Sequence, residues 1–421
     1  KKSIRSARNN EPWKSNMSGK QEADMMGQFP NVSNKQVTLA NWRTSPFNQW
    51  AFQHVREIVP SANIPNDASQ IQNPYREDHD FSSMEIKLVG QRPLTYDEFL
   101  KKTGTDGLVI LKNGKIIEER YFHGMERNTP HILMSVSKSI LGLVTGILIE
   151  QKIFIDSDKV CAIIPELGST AYKEATIRDL LDMRTGVAFV EDYLATSGLM
   201  IDYRKATNWN PLEGNESPSD LRSFYGLLNK KNHADGQQFN YVSPNSDLLG
   251  WIIERSTGER FSDLLSDLLW KPLGAIMPSY ITVDRLGAPR VAGGLCTTTL
   301  DLALVGQLFL DKGAANGQQI LPESWLQDIR SNGSKEAWEN GNFIDYFPKM
   351  EMHYRSKWYV DYGPNTSSGD LIFGLGVHGQ NLFINPTKRI VVAKFSSQSA
   401  PLDSNLIPLT CKWVRTLINQ F

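Results

Sequence analysis

Two residues three positions apart, Ser135 and Lys138, are the pair in this chain best suited to chemistry. They stand ahead of Ile140, Leu141, Val144, Ile147 and Leu148, whose three-and-four spacing predicts a helix buried along one stripe within His131 to Lys152. Residues three apart on a helix share a face, so the hydroxyl can meet the ammonium. First-turn amides and the positive end of the helix dipole favour negative charge at Ser135. A semi-buried lysine with a depressed pKa can take the serine proton, which makes an acylating nucleophile. The plainer alternative is a Ser135 that caps the helix and a solvated Lys138. Lysine has the wrong sign for a first turn, which argues against it.

A second element, Phe239 to Gly250, places Tyr241 and Ser243 just before another helix. The Tyr241 hydroxyl, set beside Lys138, could pass a proton to a leaving group. Alternatively, Ser243 or Asn245 caps the helix and Tyr241 is a buried ring. A third element, Phe373-Gly-Leu-Gly-Val377-His378-Gly-Gln380, reads as a strand whose glycines keep one face clear. A substrate lying along it could set its carbonyl oxygen between a strand amide and the Ser135 amide, unless the glycines only mark a bulge or corner. The chain has no Gly-x-Ser-x-Gly elbow, His-Glu-x-x-His, phosphate loop or dinucleotide fingerprint. Its seven histidines are scattered, so neither a metal nor another cofactor is expected.

The elements that must position these residues follow from patterning. Thr105 to Phe122 predicts a hairpin around Asn113-Gly114, a pair that tolerates the positive φ angles of a type I′ turn. Helical patterns cover Thr176 to Met183, Ser219 to Leu228, Asn245 to Arg255, Phe261 to Trp270 and Leu300 to Lys312. Strands are expected at Trp358 to Val360, Leu371 to Val377, Leu382 to Ile384 and Ile390 to Phe395, and a closing helix along Leu406, Leu409, Trp413 and Leu417. Sheet at both ends with helices between predicts an α/β (α+β) chain. Residues 81–160 and 278–421 would form one mixed domain and 161–277 a helical insertion. Residues 1–80 would be an arm, polar to about residue 40, and an irregular segment packed on the body through Trp42, Phe47, Trp50 and Phe52. Pocket shape would rest on loops such as Val190 to Asn208.

The bulk properties narrow the partners. A 421-residue chain with 40% hydrophobic and 22% charged residues is that of a globular protein. A net charge of −1 argues against nucleic acid or anionic membrane as the main partner. No apolar run reaches the ~18 residues that span a bilayer. Cys161, Cys296 and Cys411 are too few and too scattered for a disulfide framework and are expected to pack as small apolar side chains. The expected partner is a small-molecule ester, amide or lactam, with a homodimer compatible. The expected location is cytoplasmic, or periplasmic if a leader precedes Lys1.

In their order, Ser135-x-x-Lys138, Tyr241-x-Ser243 and the glycine strand ending in His378-Gly379 resemble the serine β-lactamase and D-Ala-D-Ala peptidase superfamily, closest to its class C and family VIII esterase branch. More narrowly, the chain resembles the 6-aminohexanoate-dimer hydrolases through Asn48 to Phe52, Val59 to Ala62, Leu133 to Ser139, Glu191-Asp192-Tyr193 and Gly376 to Leu382. The resemblance implies a β-lactamase/transpeptidase-like fold, an antiparallel sheet flanked by helices with an all-α insertion. It implies Ser135 as nucleophile, Lys138 as base and Tyr241 as proton donor. The Ser135 and Val377 amides would hold the oxyanion, and Tyr193 would sit on a flap.

The chain also departs from the pattern. Ser243 replaces the asparagine of Tyr-x-Asn, and Ala292 stands where an asparagine is expected. Asp202 is the candidate for the acid that follows the flap tyrosine. No Lys-Thr-Gly lies on the strand, so its cation is missing or replaced by His378; Lys102-Thr103-Gly104 precedes the serine and is a coincidence. The expected activity is hydrolysis of short esters or small linear amides through an acyl-enzyme. A β-lactamase or D,D-peptidase is the alternative within enzymes. A penicillin-binding receptor or scaffold is the alternative outside them, and its mark, a missing motif residue, is absent.

Overall fold

The computed structural model describes residues 25–363 and 367–421, so most of the expected polar arm lies outside the described residues. Seven antiparallel strands form the main sheet: β1 (Thr105–Lys112), β2 (Lys115–Tyr121), β3 (Met352–Arg355), β4 (Trp358–Asp361), β5 (Leu371–Gly376), β6 (Gln380–Asn385) and β7 (Ile390–Ser396), in the order β3-β4-β5-β6-β7-β1-β2. Asn113 and Gly114 have φ of 51° and 76°, the left-handed pair that the β1–β2 turn requires. Strand β1 is an apolar run because both of its faces are covered. Val109 and Leu111 face one core with Val391 and Ala393 of β7, while Leu108 and Ile110 face another with Val392.

Helix α1 (Val136–Glu150) fills the first core with Ile140, Leu141 and Val144. Full burial of such a side chain contributes roughly 1.5–3 kcal/mol. The helix starts just after Ser135, and the head of the His131 to Lys152 stretch is strand: His131–Ile132 pairs with Leu295–Thr297 in a four-stranded sheet with Ser61–Ile64 and Ser279–Thr282. Asp106, fully buried, holds His131 Nε2 at 3.0 Å. Between residues 160 and 277 the named elements are helical. They include α2 (Leu199–Ala206), which patterning missed, and α3 (Ser243–Thr257). Helix α4 (Thr299–Leu310) covers the same sheet face as α1, and α5 (Leu406–Ile418) covers the other, its Trp413 stacked on Phe99 at 4.6 Å. No helix among the described residues is long and apolar enough to cross a membrane.

The strand glycines serve a purpose other than clearing space for a ligand. A Cβ on Gly374 would lie 2.8 Å from Ser139 Oγ, and one on Gly376 would lie 2.6 Å from the Leu133 carbonyl oxygen. They let β5 approach α1 and its lead-in, which sets the strand end against the serine.

Candidate active site

Ser135 is the N-cap residue of α1, yet its side chain makes no capping hydrogen bond. Its hydroxyl turns instead to Lys138, whose Nζ lies 2.8 Å away and donates to the Ala292 carbonyl at 2.7 Å. Lys138 is 1% exposed, which removes the reading of a solvated lysine beside a capping serine. Burial is the main cause that lowers its pKa from 10.5 to about 7; the field of Arg290 lowers it further, and the carboxylates of Glu191 and Asp247 oppose the fall. The preceding residue, Met134, is a non-glycine residue at φ 46°, a strained conformation that recurs where a side chain must be presented.

Tyr241 is a buried ring that also meets this pair. Its face lies 5.0 Å from Lys138 Nζ, it stacks on Phe343 at 4.6 Å, and its hydroxyl interacts with the Ser135 side chain. Burial first, and then Glu191, raise its pKa well above the ordinary value, so the phenol keeps its proton at neutral pH.

Ser135 opens into a cavity of about 500 Å³ that Tyr193, Ser243, Ala292, Val377 and His378 also line. The backbone N–H groups of Ser135 and Val377 donate to no acceptor among the described residues, so both are free for a ligand oxygen. Ala292 contributes its backbone: the carbonyl takes Lys138, and its amide donates to Asp247 Oδ1 at 2.9 Å. Asp247 is in turn held by the Tyr203 hydroxyl and the Arg290 guanidinium, all three buried.

Sequence reasoning missed Glu191. It accepts from the Tyr193 hydroxyl at 2.7 Å and the Ser243 amide at 2.6 Å, and from the Ser243 hydroxyl, so it joins the Tyr193 segment to the start of α3. The motif Glu191-Asp192-Tyr193 held the signal, which was read for its tyrosine alone.

Two expectations need correction. Asp202 sits on the exposed side of α2 and does not line the cavity; Arg204, two residues on and on the opposite side of the helix, does. His378 reaches the cavity, but burial lowers its pKa to about 4, and its Nδ1 pairs with the Gln398 carbonyl at 2.7 Å. It is therefore a neutral donor to the backbone and supplies no charge. Phe52, from the aromatic N-terminal segment, packs edge-on against its ring at 5.3 Å.

A serine hydroxyl on a helix start, a buried lysine one turn on, a tyrosine before a second helix and a flanking antiparallel sheet define a class. The chain matches the beta-lactamase family over residues 95–408 and belongs to that family; it is a serine hydrolase of that superfamily. Within it the chain is similar to the 6-aminohexanoate-dimer hydrolase of Paenarthrobacter ureafaciens, 31% identical over 376 residues, 89% of this chain and 91% of that one. Its fold is similar to that of a Bacillus anthracis structure assigned to the same hydrolases. The TM-score there is 0.82 at 24% identity, over 93% of this chain and 99% of the other. A Bacteroides dorei structure assigned as a beta-lactamase gives a TM-score of 0.57 at 18% identity over 75% and 96% of the two chains.

Proposed function

We propose that the chain hydrolyses short-chain esters or small linear amides through an acyl-enzyme on Ser135. The observation that carries this is the 2.8 Å contact of Ser135 Oγ with a lysine whose pKa lies at about 7, at the floor of an open cavity. Neutral Lys138 takes the hydroxyl proton as Oγ attacks the carbonyl carbon. The oxyanion accepts from the Ser135 and Val377 amides. Tyr241 gives its proton to the departing alcohol or amine and is reprotonated from Lys138. Water then attacks the acyl carbon, its proton returns to the Lys138–Tyr241 pair, and Ser135 leaves with a proton. Tyr193, fixed by Glu191, closes over the scissile group. A linear amide of the kind in the name of the Paenarthrobacter relative belongs to this class of substrate.

The test is labelling with a fluorophosphonate together with hydrolysis of a p-nitrophenyl ester. The expected result is label on Ser135, and a fall of roughly a thousandfold or more in kcat for Ser135→Ala. Full hydrolysis by Ser135→Ala, with no label on Ser135 in the wild type, would remove the reading.

A further inference from the structure

The cavity beside Ser135 holds more positive charge than the protein satisfies. Arg43, Arg204 and Arg290 all line it, and each has a buried Nε–H with no hydrogen-bond partner among the described residues. Arg290 is accounted for: it pairs with Asp247, and its guanidinium lies over Tyr203 at 4.2 Å and Trp209 at 4.8 Å. Arg43 and Arg204 make no ion pair among the described residues, and their bonds go to neutral acceptors. Arg204 Nη2 donates to the Tyr193 carbonyl at 2.7 Å; Arg43 Nη2 donates to the Trp209 carbonyl at 3.5 Å and to the Asn210 side chain.

Arg204 is 7% exposed, and a buried guanidinium without a counter-charge is costly. The cations also oppose one another. Burial, then the fields of Arg204 and Arg290, lower the Arg43 pKa to about 9. Two carboxylates line the same space and neither forms an ion pair with them; the fields of Glu191 and of nearby Asp192 favour the charged form of Arg204, but burial and Arg290 outweigh them. Glu191 is engaged by Tyr193 and Ser243, and Glu213 stands at the exposed rim without pairing with either arginine.

We propose that Arg43 and Arg204 form an anion subsite that receives a carboxylate carried by the substrate, so that the preferred esters or amides are acidic ones. Guanidinium presents paired N–H donors that match a carboxylate in the plane. The rotation of α2 that turns Asp202 outward and Arg204 inward sets the sign of the charge at this end of the cavity. An ammonium-bearing substrate is therefore disfavoured there. This rests on the hydrolase reading above for its catalytic consequence, though not for binding.

The experiment has two arms. In the first, kcat/KM is compared for mono-p-nitrophenyl glutarate, p-nitrophenyl pentanoate and the p-nitrophenyl ester of a short ω-amino acid, which places the charge on the acyl side. An ester of butyrate with p-hydroxybenzoate, against the same ester of its methyl ester, places it on the leaving side. In the second arm, glutarate is titrated calorimetrically into Ser135→Ala, which needs no turnover. The expected result is a preference of at least about tenfold for the acidic member of one pair, weakened by added salt, with the cationic ester poorest. Arg43→Ala and Arg204→Ala should lower kcat/KM for the acidic ester about tenfold more than for its neutral partner. Arg204→Gln, which keeps a donor for the Tyr193 carbonyl but no charge, should do the same. Equal rates on acidic and neutral esters, or a preference unchanged in all three variants, would overturn the proposal. If no ester is hydrolysed, the titration still decides: saturable glutarate binding that Arg204→Gln weakens sustains the subsite, and no binding removes it.

Discussion

Asp247 Oδ1 accepts the backbone amide of Ala292 at 2.9 Å, and the carbonyl of the same residue accepts from Lys138. A buried carboxylate on α3 thus fixes the acceptor that aims the lysine, and it does so through a residue whose own side chain is a single methyl group.

Asp247→Asn should act on the base from a distance. The carboxylate raises the Lys138 pKa, so its loss lowers that pKa further, and the ascending limb of kcat/KM moves to lower pH. Removing one member of the buried Asp247–Arg290 pair should also cost about 3–5 kcal/mol of stability. A pH–rate profile and a urea titration read the two effects separately.

In the wild type the sign is set by Lys138. A lysine pKa lowered to about 7 leaves the neutral base in the majority above that pH, so kcat/KM should rise through pH 7 and then level. Tyr241, with its pKa raised, stays protonated, so no descending limb from the proton donor is expected below pH ~10. Rates for a neutral ester across pH 5–10, with the protein's fold checked at each end, test this.

Tyr241→Phe should discriminate among leaving groups. An amide or alkyl ester needs a proton as it departs, and its kcat should fall by roughly 10²–10⁴. A p-nitrophenolate leaves without one and should lose far less. Equal losses on both substrates would show that the phenol does something other than donate.

Gly376→Ala would set a Cβ 2.6 Å from the Leu133 carbonyl oxygen. The strand must then move away from the lead-in to α1, and the Val377 amide moves with it. Overpacking of this kind costs about 1–3 kcal/mol. Loss of one oxyanion donor would cost roughly 2.7–4 kcal/mol in the transition state. The melting temperature should drop modestly while kcat drops by a larger factor.

Ser135 and Lys138 were legible in the sequence because one helix turn joins them, and local periodicity reports that directly. The β1–β2 turn was legible because Asn113-Gly114 leaves few other conformations. Asp247, Arg43 and Arg204 were not, since each meets the site through tertiary contacts; Glu191 was legible only in part, because Tyr193 lies two residues away but Ser243 lies 52 away. Helix α2 was hidden by its length of eight residues and its polar flanks. The orientation of that helix, which no composition reveals, decides whether Asp202 or Arg204 faces the cavity. His378 was read as a stand-in for a cation because its burial and its Gln398 partner lie outside what a strand motif encodes.

The pairing of β1 with β7 joins Leu111 to Val391, 280 positions later. Until the final strands leave the ribosome, the hairpin lacks its neighbour and the nucleophile's helix lacks β5 and β6, the strands of the sheet that it packs against. Maturation of catalytic competence is therefore a late event in biosynthesis, and such distant pairings fold slowly because long loops close before any contact rewards them. A chain terminated before Ile390 would carry every reactive side chain discussed above, yet lack the strand that holds the two ends of the sheet together.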